Sequence, residues 1–176
     1  MNLSQLYDKA LNLKSLSAEE GEFLYDQAPL EELMFVGNEL RKKHVPGKSV
    51  GWMIDRNVNL TNICFSQCTF CNFCRKKNSD DAYVTTIEEY KRKIDELFAL
   101  GGDQLLLQGG MNPDLGIDYY TDLFSSLKSL YPTLKLHALG PPEVVYLARK
   151  GHMSYLDVLT RLIESGLDSL PGAGAE

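Results

Sequence analysis

Long apolar runs and an excess of basic residues are both absent from this sequence. No stretch of about 18 consecutive apolar residues occurs, so we expect no membrane span. The amino terminus, MNLSQLYDKALNLK, has no basic segment followed by an apolar core, so it does not predict a secretion signal. The formal net charge is -6, with 24 acidic and 18 basic residues, and this balance argues against a nucleic acid as partner.

Cysteine is also scarce, and the few cysteines are clustered. The 176-residue chain has four, and all of them fall within the segment NLTNICFSQCTFCNFCRKK, at positions Cys64, Cys68, Cys71 and Cys74. Thiols packed this closely suit a metal centre better than a disulfide that staples a fold. Reduced cysteines without a secretion signal indicate a reducing compartment, so we expect a cytoplasmic protein.

The spacing of the first three cysteines, C-x3-C-x2-C, favours an iron–sulfur cluster. A [4Fe–4S] cluster needs one thiolate per iron for full ligation, so three thiolates leave one iron open to a small molecule. Two alternatives would use Cys74 as a fourth ligand. One is a structural zinc site, which usually has two cysteine pairs held apart by a longer spacer. The other is a fully ligated electron-transfer cluster, for which the ferredoxin spacing is different. A third alternative is that the four cysteines are inert and lie close together in the sequence by chance.

An aromatic residue, Phe70, lies directly before the third cysteine. The pattern C-x3-C-x-aromatic-C resembles the signature of the radical S-adenosylmethionine (SAM) superfamily. The resemblance implies that Cys64, Cys68 and Cys71 hold a [4Fe–4S] cluster. It also implies that the open iron binds SAM and that the ring of Phe70 lies against the adenine.

The glycines after the second predicted strand extend this resemblance. Two glycines at a strand end let a ligand approach the backbone closely. In the superfamily, a Gly-Gly-Glu-like motif receives the methionine amino group of SAM, and the matching residues are Gln108, Gly109 and Gly110. No Glu follows them, so the resemblance implies that backbone carbonyls make this contact.

Four longer segments narrow the resemblance: DRNVNLTNIC, LLLQGGMNPDLG, LHALGPPEVVYLARK and GLDSLPGAGAE. Together they resemble the menaquinone-pathway branch of the superfamily, above all the cyclic dehypoxanthinyl futalosine synthases. The aminodeoxyfutalosine synthases and a subunit of deazaflavin synthase share much of this pattern. Cys74 departs from it, since the family tends to have an aromatic residue at that position.

The resemblance implies a radical cyclisation. The reduced cluster would send an electron into SAM, and the resulting 5′-deoxyadenosyl radical would take hydrogen from the ribose part of dehypoxanthine futalosine. The substrate would then close onto its own aromatic ring. A low-potential electron donor, a flavodoxin or ferredoxin, is implied as partner. The cofactor carries the difficult chemistry, whereas the protein supplies position and a dry cavity.

Hydrophobic periodicity predicts an α/β fold after an all-helical start. Residues 1–48 predict a helical cap, with a capping box from Ser17 to Glu20. Residues 49–176 predict the amino-terminal half of a radical SAM β/α barrel. Its strands are predicted over 50–61, 104–108, 134–139 and 167–170, with helices between them.

Alternating strands and helices favour a (β/α) TIM-type barrel with right-handed crossovers. A complete barrel of eight units needs about 200–250 residues, so we expect this chain to supply about the first four units of a longer enzyme.

Two residues at predicted strand ends are further candidates for the site. His137 lies near the carboxyl end of the third strand, where a residue that faces a barrel lumen can bind substrate or move a proton. A hydrogen-bonded structural histidine is the alternative. Glu176 follows a Gly-rich strand end, where it could bind the ribose hydroxyls of SAM or remain solvated.

Overall fold

The computed structural model describes residues 1–172, which divide into two compact units. The first is Met1–Gly51 and the second begins at Trp52. The domain boundary predicted between residues 48 and 49 stays a prediction. None of the helices in the described part of the chain has the length and apolar character that a membrane crossing requires.

The first unit is helical, as the sequence predicts. Ser17 begins its second helix with the predicted capping box: the Ser17 Oγ accepts from the Glu20 N–H at 3.2 Å, and the Glu20 carboxylate accepts from the Ser17 N–H at 2.8 Å. Lys9 Nζ donates to Glu20 Oε2 at 2.6 Å and so joins the first helix to the second. The helices are α1 (Leu3–Leu11), α2 (Ala18–Gln27) and α3 (Leu30–His44).

The second unit contains a parallel sheet, which in residues 52–172 has three strands in the order β1-β2-β3. Helices connect the strands, so the α/β prediction is confirmed. The strands are β1 (Asp55–Asn59), β2 (Gln104–Gln108) and β3 (Lys135–Ala138). The helices are α4 (Ile87–Ala99) after β1, α5 (Ile117–Leu130) after β2, and α6 (Pro141–Gly151) and α7 (Tyr155–Glu164) after β3.

Two strand predictions are wrong in extent. β1 begins at Asp55 instead of residue 50, and Trp52 is 82% exposed. The partner strand β2 has five residues, so only five residues of the first strand find backbone partners. The fourth predicted strand, 167–170, is reduced to one parallel bridge between His137 and Ser169, beside a β3 of only four residues.

The segment Thr86-Ile-Glu-Glu89 has the residue pattern of a capping box, and this box forms only in part. Thr86 Oγ1 accepts from the Glu89 N–H at 3.3 Å, as an N-cap should. The Glu89 carboxylate instead pairs with Arg92 at 2.6 Å. The helix start is therefore correct, although one of its two reciprocal bonds is replaced by a surface ion pair.

The two faces of the sheet differ in character. On one face the side chains are buried against the helices: Val58, Leu105, Leu107, Leu136 and Ala138. We call the opposite side the open face; its side chains are half-buried or exposed: Asn57, Asn59, Leu106, Gln108 and His137. In a barrel the open face corresponds to the inner side, where ligands bind at the carboxyl ends of the strands.

Candidate active site

The four cysteines lie on one loop, residues 62–75, whose ends are held together by backbone hydrogen bonds. The Cys64 N–H donates to the Arg75 carbonyl at 3.1 Å, and the Arg75 N–H donates to the Asn62 carbonyl at 2.8 Å. The Phe65 N–H donates to the Met111 carbonyl at 3.2 Å, which fixes the loop to the segment after β2. We call residues 62–75 the cysteine loop.

Asn62 fastens the base of the cysteine loop to the chain that follows it. This side chain is 7% exposed. Its Nδ2 donates to the Asp81 carbonyl at 2.8 Å, and its Oδ1 accepts from the Tyr83 N–H at 2.8 Å. Both ends of a buried amide are thus satisfied, which is the condition under which such a group stabilises a fold.

Arg75 holds the carboxyl end of the loop. Its guanidinium donates to the Asn72 carbonyl at 2.9 Å and to the Cys74 carbonyl at 3.1 Å. Its Nε donates to Asp81 Oδ2 at 2.6 Å. This hydrogen bond and charge hold the pKa of the Asp81 carboxyl below its usual range.

The two glycines after β2 are required by the protein's own backbone. A Cβ on Gly110 would lie 2.2 Å from the Ile63 carbonyl oxygen and 2.9 Å from the Cys64 Cβ. A Cβ on Gly109 would lie 2.9 Å from the Thr61 carbonyl oxygen. Neither contact is possible for a real side chain, so the space that glycine leaves is taken up by the start of the cysteine loop.

A cavity of about 380 Å³ lies at the carboxyl ends of β1 and β2. It brings together most of the residues that the sequence predicts for the site: Cys64, Cys68, Phe70, Cys71, Gln108, Gly109 and Gly110. His137 is not among its lining residues, and Glu176 lies outside the described residues. The structure therefore joins the cysteine loop and the Gly-Gly segment in one site.

The three predicted ligand cysteines suit an iron–sulfur cluster. Cys64 is half-buried, Cys68 and Cys71 are exposed, and all three are free thiols. In a cubane each thiolate binds a different iron, so three sulfurs around the rim of one cavity are the expected arrangement. Phe70, which the resemblance places against adenine, also lines this cavity and is 88% exposed.

A tetrahedral zinc site would need four side chains that converge on one ion. Within residues 1–172, no three His, Cys, Asp or Glu side chains are grouped around a single ion position. Cys74 is half-buried, and its thiol donates to the Cys64 carbonyl at 3.4 Å. Among the described residues, Cys64, Cys68 and Cys71 are likewise not grouped around a single ion position, and Cys74 lines the same cavity, so ligation by three cysteines stays a prediction.

His137 lies on the open face, away from the cysteine loop. Its Nδ1 lies 2.6 Å from the Ser169 Oγ, so the imidazole is oriented by a hydrogen bond. Its backbone partner in the sheet is Leu106. The histidine is thus hydrogen-bonded, as one of the two interpretations requires, and its role in binding substrate or moving a proton stays a prediction.

Glu143 is a cavity residue that the sequence analysis does not single out. It lines the cavity beside Pro142. The chain reaches it through Leu139, which has a left-handed φ of 63° at the end of β3, a conformation that costs about 1–3 kcal/mol for such a residue. A carboxylate just past a strand's carboxyl end is the signal that could have found it.

Tyr146 of α6 is a second residue that sequence reasoning missed. Its ring packs against Phe65 with the centroids 5.2 Å apart, and its hydroxyl donates to the Asn112 carbonyl at 2.8 Å. Tyr146 thereby connects α6 to the cysteine loop and to the segment after β2. An isolated tyrosine on a helix gives no such signal in a sequence.

Comparison with known proteins agrees with this site. The model of the Radical SAM superfamily matches residues 58–172. A cyclic dehypoxanthine futalosine synthase from Halalkalibacterium halodurans is 40% identical over 176 residues, which are 100% of this chain and 48% of that protein. A 5-amino-6-(D-ribitylamino)uracil–L-tyrosine 4-hydroxyphenyl transferase from Cyanothece sp. is 36% identical over 182 residues, covering 99% of this chain and 48% of that protein.

The chain spans about half the length of these curated relatives. Among solved structures, methylornithine synthase matches with a TM-score of 0.60 at 16% identity, covering 92% of this chain and 56% of that one. This likeness confirms the predicted fold, part of a TIM-type radical SAM barrel. The family match includes the cysteine loop, the Gly-Gly segment and α6, so the chain belongs to the Radical SAM superfamily.

Proposed function

We propose that the protein is a radical SAM enzyme of menaquinone biosynthesis that cyclises dehypoxanthine futalosine to cyclic dehypoxanthine futalosine. The observation that carries the proposal is the cavity in which Cys64, Cys68 and Cys71 meet Gln108–Gly110. The 40% identity to a cyclic dehypoxanthine futalosine synthase supports the choice of substrate.

The three thiolates would hold the [4Fe–4S] cluster, while Asn62, Arg75 and the close packing at Gly110 keep the loop in shape. Bound there together with SAM, the cluster would supply the 5′-deoxyadenosyl radical that takes hydrogen from the substrate. Phe70 and Phe73 line the same cavity, and both rings are exposed in the described part of the chain. Cys68 and Cys71 are exposed, which leaves the cluster close to the surface for a flavodoxin or ferredoxin donor.

The open face offers hydrogen-bonding groups to a substrate. Asn57, Asn59 and Gln108 line the cavity, and Asn59 is the register partner of Gln108 in the sheet. Carboxamides donate and accept hydrogen bonds without charge, as the hydroxyls of a nucleoside-derived substrate require. His137 lies on the same face, and we propose that it contacts the substrate or moves a proton there.

A second candidate is a reaction that uses tyrosine. The relative at 36% identity is named as a transferase of the 4-hydroxyphenyl group of L-tyrosine onto a ribitylaminouracil. The sites of two such enzymes would share the cluster loop and would differ in the residues that contact the substrate.

The test is an anaerobic assay of the protein after reconstitution with iron and sulfide. The protein is incubated with SAM, dithionite and either dehypoxanthine futalosine or the pair of tyrosine and ribitylaminouracil. We expect 5′-deoxyadenosine and a cyclised product, identified by mass, only with the first substrate. Formation of a hydroxyphenyl adduct instead would assign the second function, and absence of 5′-deoxyadenosine from both incubations would overturn the radical mechanism.

A further inference from the structure

Glu143 is the one carboxylate among the described residues that line the cysteine cavity. The other lining residues are cysteines, amides, hydroxyl groups, glycines and apolar side chains. Glu143 comes from a different β/α unit than the cysteine loop. Its carboxylate adds a negative charge to the wall of the cavity.

The surroundings of Glu143 do not supply a cation. No salt bridge in residues 1–172 includes it. Pro141 and Pro142 open α6 and have no N–H to donate, so the helix start offers this carboxylate fewer donors than usual. Burial raises the pKa of Glu143, although the backbone N–H groups of Glu143 and Gly140 partly oppose the rise.

Glu143 and the cysteine loop also share a neighbour, the buried ring of Tyr120. Burial is the main cause that raises the pKa of Tyr120, and the charges of Tyr119, Glu143, Tyr146 and Cys64 raise it further. Glu143 and Cys64 therefore lie within electrostatic reach of the same hydroxyl. Both residues line the cavity.

A half-buried carboxylate without a cation costs free energy, and a positively charged ligand offsets that cost. We propose that Glu143 binds the amino group of the methionine part of SAM. The assignment rests on the proposed function, because it takes SAM as the ligand of this cavity. It also explains how Gln108–Gly110 can lack a following Glu: the carboxylate comes from the next β/α unit instead of from Met111.

SAM has two cationic groups, the amino group and the sulfonium. Glu143 is assigned to the amino group. S-adenosylhomocysteine keeps the amino acid part and lacks the sulfonium charge. 5′-Methylthioadenosine lacks the amino acid part altogether. The three compounds therefore separate a contact with the amino group from a contact with the sulfonium and from a general effect on the cavity.

The test is calorimetric titration of the reconstituted protein, wild type and Glu143→Gln, with each of the three ligands under anaerobic conditions. A carboxylate that accepts a charge-assisted hydrogen bond predicts that Glu143→Gln raises the Kd of SAM and of S-adenosylhomocysteine about 10- to 100-fold. The Kd of 5′-methylthioadenosine and the iron and sulfide content should stay at wild-type values. Glu88→Gln is the matched control, since Glu88 is an exposed residue in the first turn of α4.

Three results would overturn the assignment. An unchanged Kd for SAM would show that the carboxylate does not contact it. A weaker affinity for SAM alone would place Glu143 at the sulfonium, and an equal loss for all three ligands would assign it a structural role. If wild-type protein with a full complement of iron and sulfide bound no SAM at all, the proposed function would fail first, and the Glu143 assignment would fail with it.

Discussion

The two faces of the sheet in the second unit show how this chain separates stability from chemistry. Leu105 and Leu107 point to the helices and are fully buried. Leu106, between them, belongs to the open face and is half-buried, with Asn57 and His137 as its neighbours in register. Alternate residues of one strand thus serve different purposes, because side chains of a strand point to opposite sides.

The difference between the two faces predicts which property a substitution on each face should change. Side chains on the helix side are part of the hydrophobic core with Tyr90 and Phe124. Those on the open face contribute little to that core and lie where the barrel interior would be. Changes on the helix side should lower the free energy of unfolding, whereas changes on the open face should alter ligand binding or turnover.

The sharpest test compares two neighbours on β2. Leu107→Ala should lower the free energy of unfolding by about 2–5 kcal/mol, because it leaves a cavity in a closely packed core. Leu106→Ala should cost about 1 kcal/mol or less, because its side chain is only partly removed from solvent. Urea unfolding measures both. Equal losses would contradict the distinction between the faces.

The complementary test changes an open-face residue that has a proposed chemical role. His137→Gln keeps a hydrogen-bonding side chain next to Ser169. If His137 moves a proton in the reaction, kcat should fall about 100-fold while the free energy of unfolding changes little. A normal kcat with lower stability would instead leave His137 as a structural residue.

The smallest effect concerns the ion pair between Arg75 and Asp81. The pKa of Asp81 is lowered in the folded protein, mainly by its hydrogen bond to Arg75. Its contribution to stability is therefore present above the pKa of the unfolded chain and is lost as the pH falls through the folded value. Asp81→Asn should be less stable than wild type at about pH 7 and equally stable at about pH 2. If the two proteins still differ in their free energy of unfolding at low pH, the ion pair is not the cause of the difference.

Features that depend on residues within one helical turn could be predicted from the sequence. The capping box from Ser17 to Glu20 is found where the sequence places it. Strand extents could not be predicted in the same way. Backbone pairing needs a partner from elsewhere in the chain, so Trp52 has strand-like alternation in the sequence and remains unpaired and exposed.

The candidate site likewise has features that could be predicted from the sequence and features that could not. The cysteine motif was recognisable because its three thiols and Phe70 lie on one continuous loop. Glu143 was not picked out, because it reaches the cavity through the left-handed turn at Leu139 and a helix of another unit. The Gly-Gly segment was found, but its close contact with Ile63 depends on two chain segments that meet only in the fold.

The most direct test of the central claim is to count the cysteines that hold the cluster. Cys71→Ser and Cys74→Ser are reconstituted anaerobically, and the iron and sulfide bound per chain are measured. The paramagnetic resonance spectrum is recorded on the cluster reduced with dithionite, before and after addition of SAM. Three-cysteine ligation predicts that Cys74→Ser keeps the wild-type cluster content and the spectral change with SAM, because serine can still donate to the Cys64 carbonyl. Cys71→Ser should lose both. Equal loss of iron from the two variants would contradict the account.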